Sequence, residues 1–371
     1  MTKKRILFIS NDARRAGAQL LLIGFLRWLK EKDTTICFDI LLADGGELEP
    51  DLQDLGTVYR WDKSIPLPFC DSIFKTISNR ILLRKLAVAK YDLIYSNTII
   101  NGWLLHQLCH LQIPILTHVH ELDYWIKRAG KPNLEWVKKQ TNHYIAASQA
   151  VKSNLITKGI FEKNISVVYE FTDCKNYSLN TSKSLRDKLG LPPEALIIGA
   201  SGAEVFRKGK DLFVPLASHV LHRTKIPVHF VWIGGAFTDE IKLDLKNFNF
   251  PNQVHFVNHL ANASDYFNEF YVFAMLSRDD PFPVVNLESG LRGVPVICFE
   301  NSGGTPELIE EDIDSIVPYM DLAAFGDRLL WFINNSPERD RIGQKLSQRI
   351  QEKYDLNVIA PKILDIINTL N

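Results

Sequence analysis

Two carboxylates, Asp280 and Glu288, stand on either side of a helix start marked by Pro283. Helical spacing places Glu288 on one face with Val284 and Leu291. A carboxylate on an apolar face must find hydrogen-bond donors or keep its proton. Sugar hydroxyls are suitable donors. The first-turn amides near Val284 and Val285 have no intrahelical partners, and they suit an anion such as phosphate. The residue types alone leave plainer roles open, with Asp280 capping the helix and Glu288 half exposed. Upstream, Arg207-Lys208-Gly209 follows an apolar strand. A guanidinium fork beside an ammonium point charge fits phosphate oxygens. His120-Glu121 closes another apolar strand, where a histidine serves as acid/base, polar anchor or structural group. His118 is a weaker rival for that role. Gly17 lies in the loop between the first strand and its helix, a unit that often approaches phosphate. The spacing is not GxGxxG, so a dinucleotide fingerprint is not supported.

These residues need a frame that repeats strand, loop and helix. Residues 271–276 read as a buried strand, and Pro283 opens a helix at its first position, where its missing N–H costs nothing. Gly293 stops that helix and Pro295 blocks its continuation. Residues 294–299 form the next strand, and Ser302-Gly303-Gly304-Thr305 is a turn before another helix. The same rhythm runs through strands at 5–10, 36–42, 57–61, 91–95, 113–118, 143–147 and 165–169. After a polar stretch at 174–190 it resumes with strands at 195–202, 228–233 and 254–257. Ser148 is placed to cap the helix that follows it. Open parallel sheets bind ligands at the carboxyl ends of their strands, where every candidate stands.

The run Asp-Pro-Phe-Pro-Val-Val-Asn-Leu-Glu, then Ser-Gly-Leu-Arg-Gly-Val-Pro-Val-Ile, then Gly-Gly-Thr-Pro-Glu-Leu-Ile, resembles the donor-binding signature of glycosyltransferase family 4. Two departures stand out: Asp280 replaces the usual Glu, and Pro283 replaces a Gly. The resemblance implies an α/β, GT-B architecture of two Rossmann-like domains facing a central cleft. It places an N-terminal acceptor domain at 1–175, a C-terminal donor domain at 190–356, and a last helix, 357–371, packed back on the first domain. It implies a retaining, metal-independent transfer from a nucleoside diphosphate sugar to an acceptor hydroxyl, in polysaccharide, glycan or glycolipid biosynthesis. Glu288 would hold the ribose hydroxyls, and Arg207 and Lys208 the diphosphate with the Val284 and Val285 amides. Asp280 and His120 would contact the donor sugar. Gly17 would approach the donor phosphate or the acceptor, and the loop at Asn258 and Leu260 the base. No cofactor and no metal are expected. The departures leave open a nucleotide-sugar-binding protein with epimerase-like activity or none, and Asp279-Asp280 also reads as a metal pair.

The 371-residue chain is 46% hydrophobic and 23% charged, which suits two ordinary domains and excludes a disordered chain. No apolar run is long enough to span a bilayer. Five scattered cysteines without CxxC support neither a disulfide framework nor a cysteine zinc site, and a cytoplasmic location is expected. Net charge is zero but divided: residues 1–188 carry 27 Lys and Arg against 19 Asp and Glu. A basic amphipathic stretch over 63–90 reads as a core helix with a solvated basic face or as a membrane-surface element, and a basic, aromatic one over 124–139 as a solvated helix surface, an acceptor-site lining or a membrane face; the membrane readings would give peripheral contact with the inner face of the cytoplasmic membrane. The expected partners are a nucleotide-sugar donor and a glycan or lipid-linked acceptor, and no nucleic acid.

Overall fold

The strands are short and almost wholly apolar, which is the pattern of parallel sheets covered on both faces. In β1 (Lys4–Ser10), Ile6, Leu7, Phe8 and Ile9 are completely buried. The computed structural model describes residues 3–62, 71–175, 184–235, 238–260 and 262–370. The chain divides into two compact units, Met1–Glu170 with Leu356–Asn371, and Phe171–Asp355. The division falls just ahead of the polar stretch 174–190, of which residues 176–183 lie outside the described residues.

In the N-terminal unit, β1 is joined by β2 (Ile36–Leu42), β3 (Thr57–Arg60), β4 (Leu93–Ser96), β5 (Ile115–Val119), β6 (His143–Ala146) and β7 (Ile165–Val167). All pair in parallel, in the order β3-β2-β1-β4-β5-β6-β7. The order reverses between β1 and β4, which defines a switch point. Ser148 caps helix Gln149–Thr157 as expected, its hydroxyl accepting from the Val151 amide at 3.1 Å. The last helix, Leu356–Thr369, packs on helix Gly17–Lys32, and Trp28 Nε1 donates to Asn357 Oδ1 at 3.2 Å. Lys4 Nζ donates to the Ile367 and Leu370 carbonyls, both at 2.7 Å, and closes that helix's C-terminal end. Of the basic stretch 63–90, residues 63–70 and the side chains of 71–77 lie outside the described residues. The remainder belongs to helix Asp71–Ala89.

In the C-terminal unit, β8 (Leu196–Ser201), β9 (Val228–Ile233), β10 (Val254–Val257), β11 (Val272–Met275), β12 (Val296–Phe299) and β13 (Ile316–Val317) again run parallel. Their order is β10-β9-β8-β11-β12-β13, so the switch lies between β8 and β11. Phe213 meets Phe230 and Trp232 edge-on at 5.5 and 5.4 Å, all three fully buried. Each such side chain contributes about 1.5–3 kcal/mol of burial. These cores hold the loops after β8 and β11 in fixed positions.

Candidate functional site

The loops after β8 and β11 emerge side by side at the C-terminal switch point and are tied together. The Arg278 amide donates to the Arg207 carbonyl at 2.7 Å. The Arg278 guanidinium grips both Asp211 oxygens at 2.8 and 2.7 Å and lies over the Phe206 ring. Gly209 sits at φ +73°, and a Cβ there would lie 2.0 Å from the Leu276 carbonyl oxygen. Only glycine accepts that conformation at that approach. The tie delivers Arg207 and Lys208 to Asp280. Lys208 Nζ donates to Asp280 Oδ2 at 2.6 Å, and Arg207 Nη1 lies 3.1 Å from the same oxygen. Ser277 Oγ donates there too, at 3.1 Å. Asp280 is only 4% exposed. Burial opposes its ionisation, but Lys208 and Arg207 hold its carboxyl below the ordinary range. Two cations face one anion, so the three side chains together carry a net positive charge. Asp280 is therefore an ion-pair partner and not a helix cap.

The Gly-Gly turn fixes the Asp280 backbone. The Asp280 amide donates to the Ser302 carbonyl at 2.8 Å, and the Gly304 amide donates to the Asp280 carbonyl at 3.0 Å. Gly303 has φ +115°, and a Cβ would fall 1.8 Å from the Asp280 carbonyl oxygen. Helix Val284–Leu291 begins immediately after this cradle. Pro283 is its N-cap, at φ −71° and ψ 121°, and not its first helical residue. Pro283's extended ψ takes it out of the helix, and its side chain cannot cap. No side chain caps the first turn, so the Val284 and Val285 amides have no partner from the cap. Gly293, at φ +74°, follows the end of the helix.

Glu288 lies on this helix, half buried, and makes no ion pair with the Arg207–Lys208–Asp280 group. Burial raises its pKa to about 7, with Arg292 opposing the rise and Asp265 adding to it. The folded chain therefore keeps a proton that the unfolded chain has lost between its ordinary value of 4.5 and about 7. Stability should fall as pH rises through that window, by up to about 3 kcal/mol. Urea unfolding of the wild type at pH 5 and pH 8 should show this fall, and Glu288→Gln should abolish most of it. Asn258 and Leu260 follow β10 at the sheet edge, and among the described residues no hydrogen bond joins them to the cation pair.

In the N-terminal unit the switch point gathers a second group. Asn97 directly follows β4; its side-chain amide nitrogen donates to the Ala18 carbonyl at 2.8 Å. Its Oδ1 therefore faces His120 Nε2, at 3.2 Å. His120 Nδ1 lies 2.5 Å from Glu170 Oε1. Both ring nitrogens face acceptors, so the imidazole donates from both and carries charge. Burial opposes that charge, but Glu170 outweighs it and raises the His120 pKa. Glu121 is buried and structural: it accepts from the Thr98 hydroxyl, from the Ile99 amide at 3.2 Å and from the His120 amide at 3.0 Å. His118 is buried in β5, its Nδ1 2.6 Å from the Tyr95 hydroxyl. Gly17 is exposed at the start of its helix, and a Cβ there would meet nothing within 4 Å. The fold itself does not require glycine at that position.

The structure thus brings Arg207, Lys208 and Asp280 into contact beside the Val284–Val285 helix start. His120 and Gly17 stand in the other unit. Asn97, Glu170 and Ser277 are contacts that the sequence does not reveal. Asn97 and Glu170 do lie at strand ends, but nothing local pairs either with His120.

Residues 181–349 match the family described as glycosyl transferases group 1, and residues 20–176 match glycosyltransferase family 4. The chain is 22% identical over 233 residues to the capsular polysaccharide biosynthesis glycosyltransferase CapM of Staphylococcus aureus, covering 61% of each chain. It is 26% identical over 210 residues to a lipopolysaccharide core biosynthesis mannosyltransferase of Rhizobium meliloti, covering 53% of this chain and 55% of that one. The chain therefore spans little more than half of the length of these curated relatives. Among solved structures, Anabaena HepE in complex with UDP and glucose superimposes with a TM-score of 0.82 at 18% identity, over 99% of this chain and 100% of that one. This likeness identifies the fold as GT-B. With two family matches in sequence along nearly its whole length, the chain belongs to the group 1 glycosyltransferases of family 4.

Proposed function

We propose that this protein transfers a sugar from a nucleoside diphosphate sugar to a hydroxyl of a glycan or lipid-linked acceptor, with retention of configuration and without a metal. The observation that carries this reading is the convergence of Arg207 and Lys208 on Asp280 at the switch point, beside an uncapped helix start. A diphosphate needs positive charge as it departs. Two cations held by the fold and two backbone amides supply it. Arriving phosphate oxygens compete with Asp280 Oδ2 for those cations. Its second oxygen, clear of all three contacts, takes a donor-sugar hydroxyl. A carboxylate so neutralised is a poor covalent nucleophile, which favours same-face attack assisted by the leaving phosphate. Glu288 accepts from the ribose hydroxyls, and the loop at Asn258 and Leu260 holds the base through its backbone. His120 Nε2 gives up its longer contact with Asn97 to donate to the sugar, and Gly17 allows a backbone approach to donor or acceptor that a side chain would obstruct.

The relatives named for capsular and lipopolysaccharide synthesis support a glycan acceptor. No helix among the described residues is long and apolar enough to cross a membrane. Peripheral contact at the inner face of the cytoplasmic membrane would rest on the basic, aromatic stretch 124–139, where Arg128 lies 4.7 Å from the Tyr124 ring centre. Sedimentation with anionic vesicles tests that contact. The activity itself is tested with a panel of nucleotide sugars in chelator. The cognate nucleotide at a hundred times its Kd should stabilise the C-terminal unit by about 2.7 kcal/mol. Its thermal midpoint should then rise by about 5 °C. Failure of every nucleotide to shift it, together with no transfer or hydrolysis, rejects the reading.

A further inference from the structure

Beside the expected donor contact, the N-terminal unit holds a group of side chains that sugar transfer does not use in full. His118, His120 and Glu170 each present a ligand atom, and all of these atoms lie within 4.8 Å of one another. His118 Nε2 and Glu170 Oε2 are buried with no hydrogen-bond partner. Buried polar atoms are rarely left so. Two orphans in one cluster call for a missing partner that both can bind. No hydrogen bond joins these two atoms, and a shared cation would satisfy both.

The surrounding contacts have the form of an outer shell. Histidines that bind metals generally donate their second ring nitrogen to a neighbouring oxygen, which fixes tautomer and orientation. His118 meets the Tyr95 hydroxyl through Nδ1 at 2.6 Å, leaving Nε2 for a metal. His120 donates through Nε2 to Asn97 Oδ1, whose own amide nitrogen is anchored on Ala18, leaving Nδ1. Glu170 completes two nitrogens and a carboxylate. That donor set suits zinc and its neighbours rather than magnesium or calcium, which favour oxygen alone. Glu170 supplies one negative charge toward a dication. All three side chains are buried or nearly so, the His120 side chain being 6% exposed.

We infer that His118, His120 and Glu170 form a binding site for one divalent transition-metal ion of the zinc class, and that occupancy withdraws His120 from the donor sugar. Binding displaces the proton shared by His120 Nδ1 and Glu170 Oε1 to solvent and leaves His120 Nδ1 on the metal. The blocking half rests on the proposed role of His120, whereas the binding half does not. The metal acts here as an inhibitor of the proposed metal-free transfer.

The test is a titration of the metal-free full-length protein with cobalt(II), followed by displacement with zinc. One equivalent should bind, with d–d absorption and no sulfur-to-metal charge transfer, and magnesium should not compete. Tyr95→Phe keeps the ring and removes the outer contact, and should weaken binding about 10–100-fold. His118→Gln and Glu170→Gln should each lose the stoichiometric site, while thermal melts in chelator confirm that the variants fold. Wild type that takes up no cobalt, or variants that bind as wild type does, overturn the site. Zinc that binds at one equivalent yet leaves transfer unchanged overturns the blocking role.

Discussion

Lys208→Ala is expected to lower kcat by about 10²–10³-fold and to destabilise the C-terminal unit by about 3 kcal/mol. The two losses have different origins. Lys208 Nζ is the closest cation to Asp280 Oδ2, at 2.6 Å, and both side chains are mostly buried. Truncation leaves a buried carboxylate with Arg207 and Ser277 alone, so the pair's desolvation is no longer offset. It also removes one of two cations proposed to receive the leaving diphosphate. The double variant Lys208→Ala with Asp280→Asn separates these effects. Removing the orphaned charge should recover most of the stability, because the residues act as a coupled pair. Transfer should not recover, because the cation is still missing and Asp280→Asn weakens the sugar contact; comparison with Asp280→Asn alone isolates the cation. Urea midpoints and single-turnover transfer rates on the four proteins of the cycle measure both terms. Recovery of transfer with stability would make Lys208 a structural residue only.

Gly303→Ala should disrupt the same site from the other side, through the backbone. At φ +115° an L side chain is strained, and its Cβ would fall 1.8 Å from the Asp280 carbonyl oxygen. The turn must then open, which breaks the Gly304 amide to Asp280 carbonyl bond of 3.0 Å. A cost of about 3 kcal/mol is expected, with transfer lost alongside it as Asp280 shifts away from Lys208. Gly17→Ala is the contrasting control. Its Cβ meets nothing within 4 Å, so the thermal midpoint should hold while transfer falls if a ligand approaches there. Thermal melts and transfer assays on both variants decide it. An unperturbed melt for Gly303→Ala would remove the cradle from the account.

Local chemistry made much of the frame legible. Apolar runs bounded by Gly, Pro and Ser marked β8 through β12 to within a few residues. Ser148 announced its helix, and the Asp280–Glu288 spacing announced the helix carrying Glu288. Pro283 was misjudged by one position, because its fixed φ serves an N-cap as well as a first helical residue and ψ decides between them. Glu121 looked like chemistry beside His120 but spends its oxygens on the Thr98 hydroxyl and on backbone amides.

The sequence by itself determined the repeating strand–loop–helix order, the spacing of the donor-type signature and the family, since periodicity and turn chemistry act within a few residues. Only the tertiary structure decided which charges meet. Lys208 and Asp280 are 72 residues apart, and His120 and Glu170 are 50 apart. The first pair is joined because β8 lies beside β11 in the sheet although β9 and β10 separate them in the chain. Strand order is a property of the whole packed core, so no local pattern could have named those partners.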